Sequence, residues 1–136
     1  MSSQCFPLAR QKFLRGQLDW LAGTLRCVLL PESFVVDFEA EFLSDIAAGS
    51  RIAISQAITG RTADLGYAFS DAILFPQLVD NRRADKAIIY KDTGNEATSA
   101  LIFLMEEPNL IPVPFALQGF DYYIYPNAAE GGFFRL

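Results

Sequence analysis

Residues 87–105 read Ala87-Ile88-Ile89-Tyr90-Lys91-Asp92-Thr93-Gly94-Asn95-Glu96-Ala97-Thr98-Ser99-Ala100-Leu101-Ile102-Phe103-Leu104-Met105. Two apolar runs, Ala87 to Tyr90 and Ala100 to Met105, flank a polar stretch holding Asp92-Thr93-Gly94-Asn95. Runs of this length, rich in Ile, Leu, Phe and Tyr and bounded by turn residues, predict β-strands. Gly94 supplies the positive φ that a tight polar turn requires. The stretch therefore predicts two strands joined by a structural turn at Asp92, Thr93 and Gly94.

Working outward, the same pattern recurs. Strand character is predicted for Thr24 to Leu30, Arg51 to Ala57, Ala68 to Phe75, Phe120 to Tyr125 and Phe133 to Leu136. Turn signals separate them at Thr59-Gly60, Asp80-Asn81, Glu107-Pro108-Asn109, Pro126-Asn127 and Gly131-Gly132. Between Glu32 and Gly49 the reading is irregular: a short strand at Ser33 to Phe38, then one or two helical turns within Glu39 to Ala48. Near the N-terminus Leu14, Leu18 and Leu21 recur at helical spacing, widened by Phe13 and Trp20. They predict a helix over about residues 8–21, stopped by Gly23. Short strands with regular turn breaks and no strand–helix alternation predict a mainly β (α+β) fold, an antiparallel β-sandwich or small barrel with an N-terminal helix. The reading is one domain over 1–136, with a β-rich body from about 24. Pro108, Pro112 and Pro114 make 108–115 a candidate extended arm, because proline donates no ladder hydrogen bond.

Composition excludes several functions. Of 136 residues, 51% are hydrophobic and 20% charged, so a disordered chain is excluded. The net charge of −5 disfavours direct binding to a phosphate backbone. No window of 18 apolar residues predicts a membrane helix, and the N-terminus lacks a signal-peptide pattern. The chain is thus expected to be made in the cytoplasm. There is no histidine. Ser-His-Asp, Cys-His and zincin chemistry are excluded by that count alone. Two cysteines are too few for a disulfide scaffold or a zinc site. Whether Cys5 and Cys27 pair stays open, with Cys27 read as a small core residue. Glu39, Glu41 and Asp45 cluster without the ligand spacing of a calcium loop and read as a solvated face. No cofactor and no metal is predicted. Asp92-Thr93-Gly94 after an apolar strand also has the form of an aspartic-protease signature, which would need a dimer and a shared proton. Only 42 residues follow Gly94, too few for the strands such an enzyme requires, so the turn is the favoured reading.

The segment from Arg83 to Glu106, with Tyr90-Lys91-Asp92-Thr93-Gly94 at its centre, resembles one found in small virion structural proteins of tailed bacteriophages. Leu18-Asp19-Trp20, Leu25 to Leu29, Phe42-Leu43-Ser44-Asp45-Ile46, Leu65 to Ala72 and the ending Gly131 to Leu136 resemble further parts of that family. Residues 86–102 carry the specific part, and Phe120 to Tyr125 departs from the family pattern, which has a Trp there. The resemblance implies a structural role without catalytic residues: a capsid decoration (cement) protein, or alternatively a tail, neck or baseplate subunit. It implies other virion proteins as partners, the major capsid protein foremost, and a homo-oligomer located in the virion. Pro108, Pro112, Pro114, Phe115, Tyr122 and Tyr123 are the candidate interaction residues. A glycan-binding module resting on Trp20, Tyr122, Tyr123 and Tyr125 is the weaker rival, since buried aromatics explain those residues more simply.

Overall fold

The computed structural model describes residues 4–78, 84–111, 120–124 and 134–135. In chain order the elements are β1 (Gln4–Cys5), α1 (Pro7–Leu14), β2 (Thr24–Pro31), β3 (Ala53–Ile54), β4 (Thr62–Asp64), β5 (Tyr67–Phe69), β6 (Ile73–Leu78), β7 (Ala84–Asp92), β8 (Leu101–Ile111), β9 (Phe120–Ile124) and β10 (Phe134–Arg135). Two single 3-10 turns, Leu43–Asp45 and Ala48–Ser50, punctuate the stretch between β2 and β3. The chain is mainly β with an N-terminal helix, and every strand pairing is antiparallel. No helix among the described residues is long and apolar enough to cross a membrane.

The principal sheet runs β1-β8-β7-β2-β3. Its three long strands are buried on both faces: Cys27, Val28, Leu29, Leu30, Ala87, Ile88, Ile89 and Leu101 to Leu104 all lie in the core. Successive side chains point to opposite faces, so an unbroken apolar run fits a strand covered on both sides. Register places Val28, Ile88 and Leu104 in one row and Cys27, Ile89 and Phe103 in the next. The first face lies under the irregular stretch after β2, where Phe34, Val36, Ala40 and Ile46 meet Phe6, Ile88 and Leu101 around a small cavity. Phe6 and Phe38 pack ring on ring with centroids 5.6 Å apart.

The strand predicted at Arg51 to Ala57 is a ribbon regular only at Ala53–Ile54. It still bonds on both sides. Ile52, Ser55 and Ile58 donate to Leu29, Cys27 and Leu25 of β2, while Gln56 donates to Leu74 of β6. Ser55 Oγ also accepts the Cys27 N–H at 2.9 Å, so a side chain replaces a missing ladder bond. The ribbon thus carries the main sheet over to the β6–β9 pair, whose Ile73, Phe75 and Ile124 belong to the same core. The third sheet runs β10-β5-β4.

Several boundaries correct the sequence reading. The helix spans Pro7–Leu14 and not 8–21. Pro7 opens it, where a missing N–H costs nothing. Gly16, at φ +72, closes it. Gly16 N–H bonds Phe13 O and Gln17 N–H bonds Lys12 O, the paired bonds of a Schellman cap. The leucine spacing therefore crosses a helix end. Leu18 is buried, whereas Leu14 is 88% and Leu21 55% exposed. Leu18→Ala is expected to cost about 2–5 kcal/mol, and Leu14→Ala to stay within about 0.5 kcal/mol. Urea unfolding of both variants checks this, and equal losses would contradict the early helix stop.

Ser33 to Phe38 forms no strand. The stretch predicted as one strand at Ala68 to Phe75 is two, because Ser70-Asp71-Ala72 turns the chain between β5 and β6. Pro108 does not begin an arm: β8 continues to Ile111. The proline falls between the Lys86–Glu106 and Ala84–Ile111 pairs, where the register shifts and the ladder is interrupted. Such a bulge accommodates a residue that cannot donate. Residues 112–115 of the proposed arm lie outside the described residues.

The two cysteines cannot pair. Cys5 lies opposite Phe103, Phe103 opposite Ile89, and Ile89 opposite Cys27. Three interstrand steps separate them by roughly 14 Å, twice the reach of a disulfide. Both are buried free thiols. Burial pushes Cys5 up to about 11, opposed by Arg10, and pushes Cys27 higher still.

Candidate functional site

The turn after β7 is built from its own polar side chains. Asp92 Oδ1 accepts the Gly94 N–H at 2.8 Å, and Gly94 sits at φ +84. Thr93 Oγ1 lies 2.6 Å from Thr98 Oγ1, and Ser99 Oγ donates to Asn95 O at 2.9 Å. The loop is clamped from outside as well. Leu43 and Ser44 donate to Ser99 O and Glu96 O, and Leu101 donates to Glu41 O. The Arg51 guanidinium makes both bonds of a fork to Glu96, at 3.0 and 2.8 Å, and also reaches Leu43 O and Ile46 O. A bidentate pair of this kind fixes geometry as well as charge.

Asp92 Oδ2 accepts Arg26 Nε at 2.7 Å. The Gly94 N–H first, and then Arg26, hold the Asp92 carboxyl below the usual carboxylate range. Both Asp92 carboxylate oxygens are thus engaged within the chain, Oδ1 by the Gly94 N–H and Oδ2 by Arg26. Within the Glu39–Glu41–Asp45 group, Glu41 and Asp45 are likewise engaged. Glu41 pairs with Lys12 at 2.7 Å, and Asp45 Oδ2 accepts the N–H groups of Glu41 and Phe42, which lower its pKa. Lys12 lies 4.5 Å over the Phe42 ring. Among the described residues no cluster of three or more metal-ligating side chains occurs.

Because no side-chain atom crowds Gly94 within 4 Å, Gly94→Val tests backbone strain alone. The β-branched residue at positive φ is expected to cost about 1–3 kcal/mol. Thermal melting reads the loss, and an unchanged midpoint would show that the turn relaxes to negative φ.

Among the described residues, two surface clefts bear on the site. The polar one, about 280 Å³, lies beside the turn between Arg26, Tyr90, Asp92, Glu96 and Ser99. The apolar one, about 350 Å³, lies between the chain after α1 and the β4–β5 hairpin, and is lined by Phe13, Leu18, Trp20, Ala63, Tyr67 and Ala68. Trp20 positions the hairpin by donating its indole N–H to both Thr62 O and Phe69 O, at 3.0 and 3.1 Å. Arg61 reinforces the junction from Trp20 O to Gly23 O.

The hairpin tip is Leu65-Gly66, with φ of +51 and +84. Two positive φ values in a two-residue loop match a type I′ turn, which favours Asn-Gly or Asp-Gly. A leucine there is strained, and Leu65 is also 85% exposed. Leu14, Leu21 and Leu65 are exposed and stand next in sequence to the cleft-lining Phe13, Trp20 and Gly66. The sequence reading missed this hairpin because Leu65 disguises the turn. The signal present was the alternation from Thr62 to Phe69 around Gly66.

Of the sequence-derived interaction residues, Pro108, Tyr122 and Tyr123 fall among the described residues. Tyr122 is half-buried against the core and Tyr123 is 45% exposed, both on β9. Pro108 lies in β8, while Pro112, Pro114 and Phe115 fall outside the described residues. Trp20 is buried, not displayed for a ligand. No family model and no curated protein matches the chain.

Proposed function

We propose that the chain is a non-enzymatic structural subunit of a tailed-phage virion, acting as a capsid decoration protein that braces neighbouring shell subunits. The observation that carries the docking role is Leu65: an exposed apolar side chain held at positive φ on the tip of an anchored hairpin. Such strain persists where the surroundings enforce it and the exposed group has a use. The resemblance over residues 86–102 supplies the virion context. The turn at its centre is a clamped scaffold with Asp92 neutralised by Arg26, which suits a structural part. In this reading the apolar cleft and the exposed Leu65 at the hairpin tip meet other virion proteins, with the major capsid protein as principal partner. Copies act as a symmetric set, each using the same patch. The acidic chain contacts protein, not packaged nucleic acid, and no membrane. Immunogold labelling of purified particles tests the placement. Label over the head is expected, label confined to the tail or baseplate would transfer the role there, and unlabelled particles would refute it.

A further inference from the structure

The polar cleft contains a group that the turn architecture does not use. Tyr90 is 2% exposed and lines the cleft, yet its hydroxyl makes no hydrogen bond among the described residues. The ring is buried, but the hydroxyl oxygen is not among the buried polar atoms left without a partner, so it reaches the open cleft as a free donor. Arg26 lies directly opposite Tyr90 on β2, so the two side chains leave the same sheet face about 5 Å apart. Arg26 Nε is committed to Asp92 and Nη1 to Ser55 O. Its Nη2 has no partner among the described residues. Two unused donors from neighbouring strands therefore flank one cleft.

We propose that this cleft is a carboxylate-binding site, in which the Tyr90 hydroxyl and Arg26 Nη2 each donate to one carboxylate oxygen. The charge of the lining selects that ligand. Of the charged lining residues, Asp92 is paired with Arg26, and Glu96 is paired with Arg51, which is not itself part of the lining. A monoanion can pair with the spare donors and meets about half the repulsion from Asp92 and Glu96 that a dianionic phosphate meets. A neutral amide matches only the acceptor half of the pattern and gains no charge-assisted bond. Burial and the Asp92 charge push Tyr90 up to about 12, so its hydroxyl stays a donor at neutral pH. The carboxylate comes either from a small acid or from an Asp or Glu side chain on a docked protein.

Titration followed by NMR at the Arg26 Nε–H and the Tyr90 ring tests this on the full chain at constant ionic strength. Sodium acetate and the capped tripeptide acetyl-Gly-Asp-Gly-amide are the probes, and acetamide and sodium chloride are the controls. A saturable shift with acetate in the millimolar range is expected. Tripeptide binding at least tenfold tighter than acetate assigns the site to a protein-borne carboxylate, and equal or weaker binding assigns it to a small acid. Tyr90→Phe removes the hydroxyl alone and is expected to weaken acetate at least tenfold with the spectrum still dispersed. Arg26→Gln provides a second variant with the same expectation. No saturable shift, a shift matched by acetamide or chloride, or wild-type affinity in both variants would overturn the proposal. None of these outcomes bears on particle membership, which the labelling reads separately.

Discussion

Phe75→Ala lowers the free energy of unfolding by about 3–5 kcal/mol, the range for deleting a fully buried aromatic ring. Phe75 has no exposed surface and is among the largest fully buried side chains. It stands opposite Tyr122 on β9, just before the bulge that accommodates Pro76. The pair it belongs to is joined to the main sheet through the irregular ribbon and shared core packing, so deleting the ring leaves a cavity where two layers meet. Native stability of a domain this size is only about 5–15 kcal/mol, so the variant approaches the unfolding threshold. Urea denaturation measures it. A loss below about 1 kcal/mol would mean that the β6–β9 pair folds apart from the main core.

Leu65→Asn separates stability from docking by moving them in opposite directions. Asparagine tolerates the left-handed region several-fold better than leucine, and Asn-Gly is the favoured type I′ pair. The variant is expected to gain on the order of 0.5 kcal/mol in stability. It also removes the apolar tip, so its incorporation into particles is expected to fall at least tenfold. Thermal melting and quantitative particle composition read the two effects. A more stable variant that incorporates normally would show that Leu65 is not a docking residue. A destabilised variant would show that the turn is held by the leucine side chain.

What was legible in the sequence was local. Ala87 to Tyr90 and Ala100 to Met105 are apolar runs that only a strand covered on both faces explains, and Gly94 marks the turn between them. The helix end was harder. Leu14, Leu18 and Leu21 keep helical spacing by coincidence across a Schellman cap, and the decisive feature was the sign of φ at Gly16. The ribbon at Arg51 to Ala57 has strand composition, but its regular ladder is broken where Ser55 Oγ takes the Cys27 N–H. The Arg26–Asp92 and Arg51–Glu96 pairs join residues 66 and 45 positions apart, and no local pattern reports contacts of that range. The apolar cleft was invisible for the same reason, since α1, Trp20 and the β4–β5 hairpin meet only in the fold.

The central claim is that the chain is a repeated structural part of a tailed-phage particle, and quantitative mass spectrometry of purified virions tests it most directly. Virion components recur by symmetry, and a decoration protein occupies sites over the whole shell. Copies on the order of hundreds per particle are expected, at a fixed ratio to the major capsid protein. A count in the tens would place the chain in the neck or tail. Its absence from intact, washed particles would contradict the account.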